Sequence, residues 1–234
     1  MDIAVQEVVQ RIRGMNQEQL VALDDDLPSL AQFIADAAHD KLDARCAANP
    51  LYWAQTWTAT ENPKWQEQGL PFKAPFPKKS YFIPLFEQFK ISKHLLIPKT
   101  REMLTSWCLM IYATSRAQWH KAEVVVQTSK EDKAGRLVEY ASILYRNQPD
   151  WLKERHPLKR NATLAMEWES GGKLFGIPSG EDQIRMYHPS LVIFDEACFL
   201  PGVEACWNAA QPVAAQMIAI SSAGPGWFAD QCSM

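Results

Sequence analysis

The sequence predicts an α/β domain built on a mainly parallel central sheet that helices cover on both faces. Short apolar strands at residues 122–129, 190–199 and 216–224 alternate with helical segments along the chain. Strands that are apolar on both faces are typical of parallel sheets, because crossover helices bury both sides. A hairpin turned at two adjacent glycines is predicted as an insertion at 162–179.

The first part of the chain is predicted to differ from this pattern. Residues 3–45 place apolar side chains at helical spacing, so a helical N-terminal arm is predicted at 1–47. This arm is either a plain appendage or a docking arm for a partner subunit. Residues 48–80 contain many prolines and tryptophans, which predicts an extended segment that packs aromatic side chains onto the core. The functional domain is therefore expected at 48–234.

The composition is that of a globular protein and excludes several classes of function. Of 234 residues, 47% are hydrophobic and 22% charged, which suffices for one sizeable core. The net charge of -3 gives no overall attraction to nucleic acid, so such binding needs a local basic patch. The five scattered cysteines form no CxxC pair, which argues against a zinc site and favours a reducing compartment. No apolar run approaches the roughly 18 residues of a membrane span, and the N-terminus does not resemble a signal peptide.

The strongest chemical signal lies at the end of one apolar strand. In "LVIFDEA", four apolar residues precede Asp195 and Glu196. Ligands bind at the carboxyl edge of open α/β sheets, so two adjacent acids there suit a nucleotide hydrolase. Asp195 would hold Mg²⁺ through its water shell, because Mg²⁺ keeps several of its waters. Glu196 would orient and deprotonate the attacking water. The alternative is a pair of solvated acids at a strand end.

A second stretch, "LLIPKTREMLTSW", has the outline of a phosphate-binding loop. It lacks the glycines of a standard loop and the lysine directly before the hydroxyl residue. Ser106 can still serve Mg²⁺, and the first turn of the following helix offers free N–H groups to phosphate. Lys99 and Arg101 are local substitutes for the missing charge. Leu104 stands where a residue without a side chain would suit phosphate approach, and its side chain is expected to turn into the core.

Two further segments suit a nucleotide site at the same edge. "AISSAG" ends a strand in small hydroxyl residues, which can sense a γ-phosphate beside the strand that carries the acids. Arg185 precedes Asp195 by ten residues on a loop near that edge. Arginine is suited to stabilising charge on a transferring phosphoryl group. Each signal is weak alone, and a surface arginine is the plain alternative for Arg185.

Together these segments resemble the ATPase half of tailed-phage terminase large subunits, the motors that package viral DNA. One branch of that family uses a deviant phosphate loop of the form Lys-Ser-Arg-Gln-Met-x-x-Ser-Trp, which "KTREMLTSW" matches with Thr100 for Ser and Glu102 for Gln. The resemblance implies a P-loop NTPase fold of the ASCE or RecA-like type, a three-layer sandwich. It covers roughly residues 48–228, and the segments that carry it are "PFPKKSYF", "FIPLFEQF", "LLIPKTREMLTSW", "VVVQTSKEDKAGRLVEYASILYRNQPDWL", "GKLFGIPSGEDQIRMY", "LVIFDEACFLPGVEACWNAAQPV" and "AISSAGPGWF".

The resemblance implies a role for each matching residue. Lys99 would be the phosphate lysine and Arg101 the loop arginine, and Ser106 would bind Mg²⁺. Asp195 and Glu196 would be the Walker B pair. The remaining implied residues are Thr100 and Thr105 in the ATP-binding loop, Ser221-Ser222-Ala223 as the coupling motif, Arg185 acting on a neighbouring subunit's ATP, and Tyr81 where some relatives have an adenine-contacting aromatic residue.

The resemblance also implies cofactors and partners. These are ATP, Mg²⁺, double-stranded DNA contacted without regard to sequence, a portal or procapsid, a small terminase subunit and a homo-oligomeric ring. The expected location is the host bacterial cytoplasm, without a membrane. The family normally continues into an RNase H-like nuclease domain, for which residues up to 234 leave no room. This chain is therefore expected to be an ATPase module or truncation without nuclease activity of its own.

Two other functions stay open at the level of sequence. The "DEAC" and "SSA" segments also suit a helicase-type ATPase with tandem motor domains, although residues up to 234 leave no room for the second motor domain that such an enzyme is expected to need. A degenerate nucleotide-fold protein that serves only for docking is favoured by the absent glycines. The joint presence of Ser106, Asp195 and Glu196 argues against it.

Overall fold

The protein is described by a computed structural model that covers residues 14, 35–61, 66–67, 69 and 71–233. The chain divides into two units, Met1–Ala48 and Asn49–Met234. In the first unit residues 35–48 are helical, and the rest of the predicted helical arm lies almost wholly outside the described residues. The predicted domains 1–47 and 48–234 stay a prediction, since a division into units does not test independent folding.

The segment that opens the second unit is partly helical. Helix α1 spans Pro50–Thr56, so the prediction of an extended chain is wrong here. The side chain of Asn49 accepts a hydrogen bond from the backbone N–H of Tyr52, and proline at the first helical position loses no hydrogen bond. Two short antiparallel strands follow, β1 at Thr60–Glu61 and β2 at Lys73–Ala74, and then helix α2 at Phe82–Ile91.

Seven strands form the central sheet of the second unit. In chain order they are β3 (His94–Pro98), β4 (Glu123–Gln127), β5 (Leu158–Ala162), β6 (Ala165–Trp168), β7 (Lys173–Ile177), β8 (Leu191–Asp195) and β9 (Gln216–Ser221). Their order across the sheet is β3-β9-β8-β4-β7-β6-β5. Strands β3, β9, β8, β4 and β7 run parallel to one another. Strand β6 pairs antiparallel with both β7 and β5. The predicted parallel sheet and the predicted hairpin are both confirmed.

Helices connect these strands and lie on both faces of the sheet. They are α3 (Thr105–His120), α4 (Glu131–Arg146), α5 (Asp150–Arg155), α6 (Glu181–Arg185), α7 (Val203–Ala210) and α8 (Trp227–Cys232), with a 3-10 turn at Ala197–Phe199. Alternate residues of the parallel strands, including Val125, Val192 and Met217, pack with residues of α6, α7 and α8. Helices α3 and α4 contact the sheet through β4, β7 and β8. Among the described residues, no helix has both the length and the apolar character that a membrane crossing needs.

Candidate functional site

The strand order gathers three chain segments at one edge of the sheet. Strand β9 lies between β3 and β8, and Pro98 is paired with Ser221. The residues that directly follow β3, β8 and β9 therefore leave the sheet side by side at its carboxyl edge. The backbone N–H of Lys99 donates to the carbonyl oxygen of Ser221 at 2.9 Å, which ties the start of the loop to the end of β9.

Glu196 is the centre of the polar cluster at this edge. Lys99 Nζ donates to Glu196 Oε1 at 2.6 Å, and Ser222 donates to Oε2 through its Oγ at 2.9 Å and its N–H at 3.3 Å. The side chains of Lys99 and Glu196 are 10% and 33% exposed. Burial alone would raise the pKa of Glu196, but the hydrogen bonds from Lys99 and Ser222 outweigh it and hold the pKa below its ordinary value. Glu196 is therefore a charged, oriented carboxylate.

A second pair, Ser106 and Asp195, lies beside this cluster. Ser106 Oγ donates to Asp195 Oδ1 at 3.1 Å. Burial, and after it the charge of Glu196, raise the pKa of Asp195 to about 6 against the opposing effects of Ser106, Lys99 and Lys133. A cation would relieve this crowding of negative charge.

The chemistry of these oxygens fits Mg²⁺. A hydroxyl and a carboxylate oxygen are ligands of the kind that Mg²⁺ takes, and the ion commonly uses one or two carboxylates beside water and phosphate oxygens. In the described part of the chain, no three His, Cys, Asp or Glu side chains form a metal cluster. The described residues therefore suit an ion shared with a phosphate ligand, with Ser106 and Asp195 as its protein contacts.

The loop between β3 and α3 adopts glycine-like backbone angles without any glycine. Glu102 has φ of 65° and Leu104 has φ of 55°, both in the left-handed region. This conformation costs a residue with a side chain roughly 1–2 kcal/mol. The expectation that Leu104 turns into the core is wrong: Leu104 is 36% exposed, whereas Thr105, the first residue of α3, takes the buried position.

The loop delivers the N-terminus of a long helix to the carboxyl edge. Helix α3 has 16 residues, and the first N–H groups of a helix have no partner within it. The helix dipole adds partial positive charge at the same end. Together with the ammonium of Lys99, this arrangement can bind an anion such as a phosphate group.

The other predicted residues of the loop region are less closely joined to the cluster. Thr100 and Arg101 are exposed, and Arg101 forms no ion pair within the described residues. Ala223 is exposed. Tyr81 precedes α2, and its hydroxyl donates to the carbonyl oxygen of Met103 at 3.2 Å, so Tyr81 supports the backbone of the loop.

Arg185 is held within its own helix. Its guanidinium lies 3.1 Å from Asp182 and 3.5 Å from Glu181, and its side chain is 58% exposed. The described contacts do not connect Arg185 with Glu196 or Asp195. Arg185 is therefore exposed and paired with local acids at helical spacing, and its role on a neighbouring subunit's ATP stays a prediction.

Two contacts at the site were not predicted from the sequence. Ser221 Oγ accepts a hydrogen bond from the backbone N–H of Cys198 at 3.0 Å, which fixes the turn that follows Glu196. Trp107 stacks on Tyr140 of α4 with centroids 4.1 Å apart and planes 7° apart. Burial raises the pKa of Tyr140, and the charge of Asp195 adds to the rise. Trp107 follows Ser106 directly, which is a signal in the sequence, but nothing local marks Tyr140 as its partner.

Comparison with solved structures identifies a shared fold. The HK97 bacteriophage large terminase aligns with a TM-score of 0.55 and 9% identity, over 75% of this chain and 37% of that one. The fold is one found in a phage large terminase. The Thermus phage P74-26 large terminase ATPase domain aligns with a TM-score of 0.46 and 15% identity, over 72% of each chain.

The similarity is one of structure and covers part of a longer protein. This chain spans just over a third of the HK97 terminase. No protein-family model and no curated protein sequence matches the chain. The P-loop NTPase fold that the sequence resemblance implied is thus confirmed, while the activity rests on the residues at the site.

Proposed function

We propose that this chain binds ATP with Mg²⁺ at the carboxyl edge of its sheet and hydrolyses it, as the ATPase part of a terminase-type DNA-packaging motor. The strongest support for this proposal is the way two contacts join the loop to the strand end. The 2.6 Å contact of Lys99 with Glu196 and the 3.1 Å contact of Ser106 with Asp195 bring a loop and a strand end together at the N-terminus of α3. These are the parts that nucleotide hydrolysis needs.

Binding would be the task of the loop and of α3. The ammonium of Lys99 would contact the β- and γ-phosphates, and the free N–H groups at the start of α3 would donate to phosphate oxygens. Ser106 and Asp195 would hold Mg²⁺, which supplies charge neutralisation to the phosphates when it is bound. Tyr81, through its bond to the carbonyl oxygen of Met103, would stiffen the loop.

Glu196 would act as the general base. As the oxygen of a water molecule bonds to the γ-phosphorus, Glu196 accepts the proton of that water, and the bond between the γ-phosphorus and its bridging oxygen breaks to release ADP. The protein contributes position and charge, because phosphoryl transfer needs little covalent help. Ser222 would hold Oε2 of Glu196 so that Oε1 faces the water.

The motor role extends the proposal to partners. Double-stranded DNA, a portal or procapsid and a small terminase subunit would be the partners in a host cytoplasm, and several copies would form a ring. In such a ring Arg185 would act on the ATP of the neighbouring copy. Since Asp182 and Glu181 hold its guanidinium, Arg185 would have to exchange these partners for phosphate oxygens.

The decisive experiment compares Glu196→Gln with Glu87→Gln. Glu87 is an exposed acid paired with Lys90, which makes its variant a matched control for loss of one carboxylate. We expect Glu196→Gln to retain ATP binding and to lower the single-turnover hydrolysis rate by about 10²–10⁴-fold, the usual contribution of a general base. The control should hydrolyse ATP at the unmodified rate. Equal rates in both variants, or no ATP binding by the unmodified chain, would contradict the proposed function.

A further inference from the structure

We propose that Lys133 and Arg136, two cations on helix α4, contact the γ-phosphate of the bound nucleotide and thereby let the site distinguish ATP from ADP. Neither residue was expected at the site from the sequence. The inference rests on the proposed function and adds the side chains that recognise the terminal phosphate. It depends on the face of α4 that carries the cations, on the packing of that face and on the order of the strands.

One face of α4 presents the two cations beside an aromatic residue. Lys133, Arg136 and Tyr140 are separated by three, four and seven positions, so they share one face of the helix. The charge of Arg136 opposes the rise in the pKa of Tyr140, which agrees with their lying close together. A basic stripe therefore continues from Tyr140 toward the N-terminus of α4.

Tyr140 fixes the direction in which this face points. Its ring stacks on Trp107 with centroids 4.1 Å apart, and Trp107 is the third residue of α3. Trp107 directly follows Ser106, whose hydroxyl donates to Asp195. The face of α4 that carries the cations is therefore turned toward the start of α3, which is where the proposed function places the phosphates.

The two cations lie level with the space in front of α3. Both helices follow parallel strands, so both run away from the carboxyl edge of the sheet. At about 1.5 Å per residue, Arg136 lies roughly 6 Å and Lys133 roughly 10 Å nearer that edge than Tyr140 does. Helix α3 begins only two residues, about 3 Å, before Trp107. The cations thus project past the first turn of α3.

The strand order puts these cations on the γ-phosphate side of the site. Helix α4 follows β4, which lies next to β8 with its terminal Asp195. The loop that contains Lys99 follows β3, on the other side of β8. The charge of Lys133 opposes the rise in the pKa of Asp195, which agrees with this placement. A nucleotide that turns its γ-phosphate to Glu196 therefore extends from the loop toward α4.

Both cations can take a phosphate ligand. Lys133 and Arg136 are exposed, and Lys133 Nζ donates to the hydroxyl of Ser129 at 3.1 Å. Within the part of the chain that the structure describes, neither cation pairs with a carboxylate, in contrast to Arg185. A phosphate oxygen is a stronger acceptor than a hydroxyl, and a guanidinium group can bind two such oxygens at once. ADP has no phosphate at this position, so these contacts favour ATP.

The inference is tested by calorimetry with ADP and with the slowly hydrolysed analogue ATPγS, each in the presence of Mg²⁺. We expect Lys133→Ala and Arg136→Ala each to bind ATPγS about tenfold more weakly than the unmodified chain, because each loses a hydrogen bond to a charged group. Their affinity for ADP should be unchanged. Lys133→Arg keeps the positive charge and should recover most of the affinity for ATPγS. A thermal unfolding curve verifies that each variant is folded.

Lys130→Ala is the matched control. It removes the same charge from an exposed residue that directly precedes α4 and lies off the face shared with Tyr140. It should bind both ligands as the unmodified chain does. An equal loss of ATPγS affinity in Lys130→Ala and Lys133→Ala would overturn the inference, since it would reflect only the general field of the helix. Equal weakening of ADP and ATPγS in Lys133→Ala would also overturn it, since the contact would not be with the γ-phosphate.

The remaining outcomes separate this inference from the function beneath it. If the unmodified chain binds both ligands and neither Lys133→Ala nor Arg136→Ala changes an affinity, the inference is overturned and the nucleotide site stands. If the unmodified chain binds neither ligand, both are overturned. If the variants lose only the salt-sensitive binding of a double-stranded DNA oligonucleotide, the cations contact DNA phosphates and the inference is overturned.

Discussion

The two ends of the central sheet differ in how closely their backbones pack and in where their polar groups lie. At the β3-β9-β8 end, charged and hydroxyl side chains gather at the carboxyl edge, and the loop before α3 contains two residues with left-handed backbone angles. At the β7-β6-β5 end, antiparallel strands pack against α3 and α4 through glycine. A Cβ at Gly172 would lie 1.8 Å from the carbonyl oxygen of Ala117, and one at Gly176 would lie 2.9 Å from Val138.

At the first end the side chains can exchange their present contacts for contacts with a ligand, whereas at the second end the packing is fixed. The contacts of Lys99, Glu196 and Ser222 are polar, partly exposed and replaceable by a ligand. The contact at Gly172 is backbone against backbone, in a region where Met166 and Leu174 are fully buried, so no side-chain movement can relieve a clash there. Substitutions in the hairpin should therefore change stability, and substitutions at the site should change binding.

The largest effect is expected from Gly172→Ala. The added methyl group would overlap the backbone of Ala117, so either the hairpin or the end of α3 must move. We expect a loss of about 4 kcal/mol in the free energy of unfolding and a fall in Tm of roughly 10 °C, measured by chemical and thermal denaturation. Ser170→Ala, in the same turn but exposed, is the control. A stability of Gly172→Ala equal to that of the control would mean that the hairpin is not the rigid end.

Lys99→Ala tests the opposite end. We expect ATP affinity to fall by about 10–100-fold, because one buried cation is lost from the phosphate site. The free energy of unfolding should fall by at most about 1 kcal/mol, since water can solvate the one-third of Glu196 that is exposed. Lys93→Ala is the matched control. Equal affinities for the two variants, measured by calorimetry, would mean that the loop resembles a phosphate-binding loop only by chance.

The stack of Trp107 on Tyr140 connects the site to α4. A double-mutant cycle with Trp107→Leu and Tyr140→Leu should give a coupling free energy of about 1 kcal/mol, the usual contribution of an aromatic pair. The cycle of Trp107→Leu with Tyr145→Leu is the control, because Tyr145 packs on Trp168 instead. Additive effects in both cycles would show that the stack contributes no coupling.

The smallest effect is expected from Leu104→Gly. Glycine adopts φ of 55° without strain, but it also loses more conformational entropy on folding. These effects oppose each other, so the free energy of unfolding should rise by about 0–1 kcal/mol. Leu104→Ala keeps a Cβ and serves as the comparison. If glycine is less stable than alanine at this position, the left-handed backbone is not a source of strain in the loop.

Local patterns were sufficient for most of the elements but not for their contacts. The continuous apolar runs of β4, β8 and β9 predicted their type, because a strand that is covered by helices on both faces buries successive side chains. The helix at Pro50–Thr56 was missed although Asn49 and Pro50 form a recognisable helix start. The ion pairs of Arg185 were also missed, and the spacing of Glu181 and Asp182 would have indicated them.

The sequence by itself determined the alternation of strands and helices, the acids at the end of β8 and the hydroxyl residues at the ends of the loop and of β9. These are local properties, since each depends on residues within a few positions of one another. Only the tertiary structure decided that Lys99 meets Glu196 across 97 positions of the chain, with Ser222 on the other carboxylate oxygen. That meeting depends on β9 lying between β3 and β8, and strand order is a property of the whole sheet that no local pattern encodes.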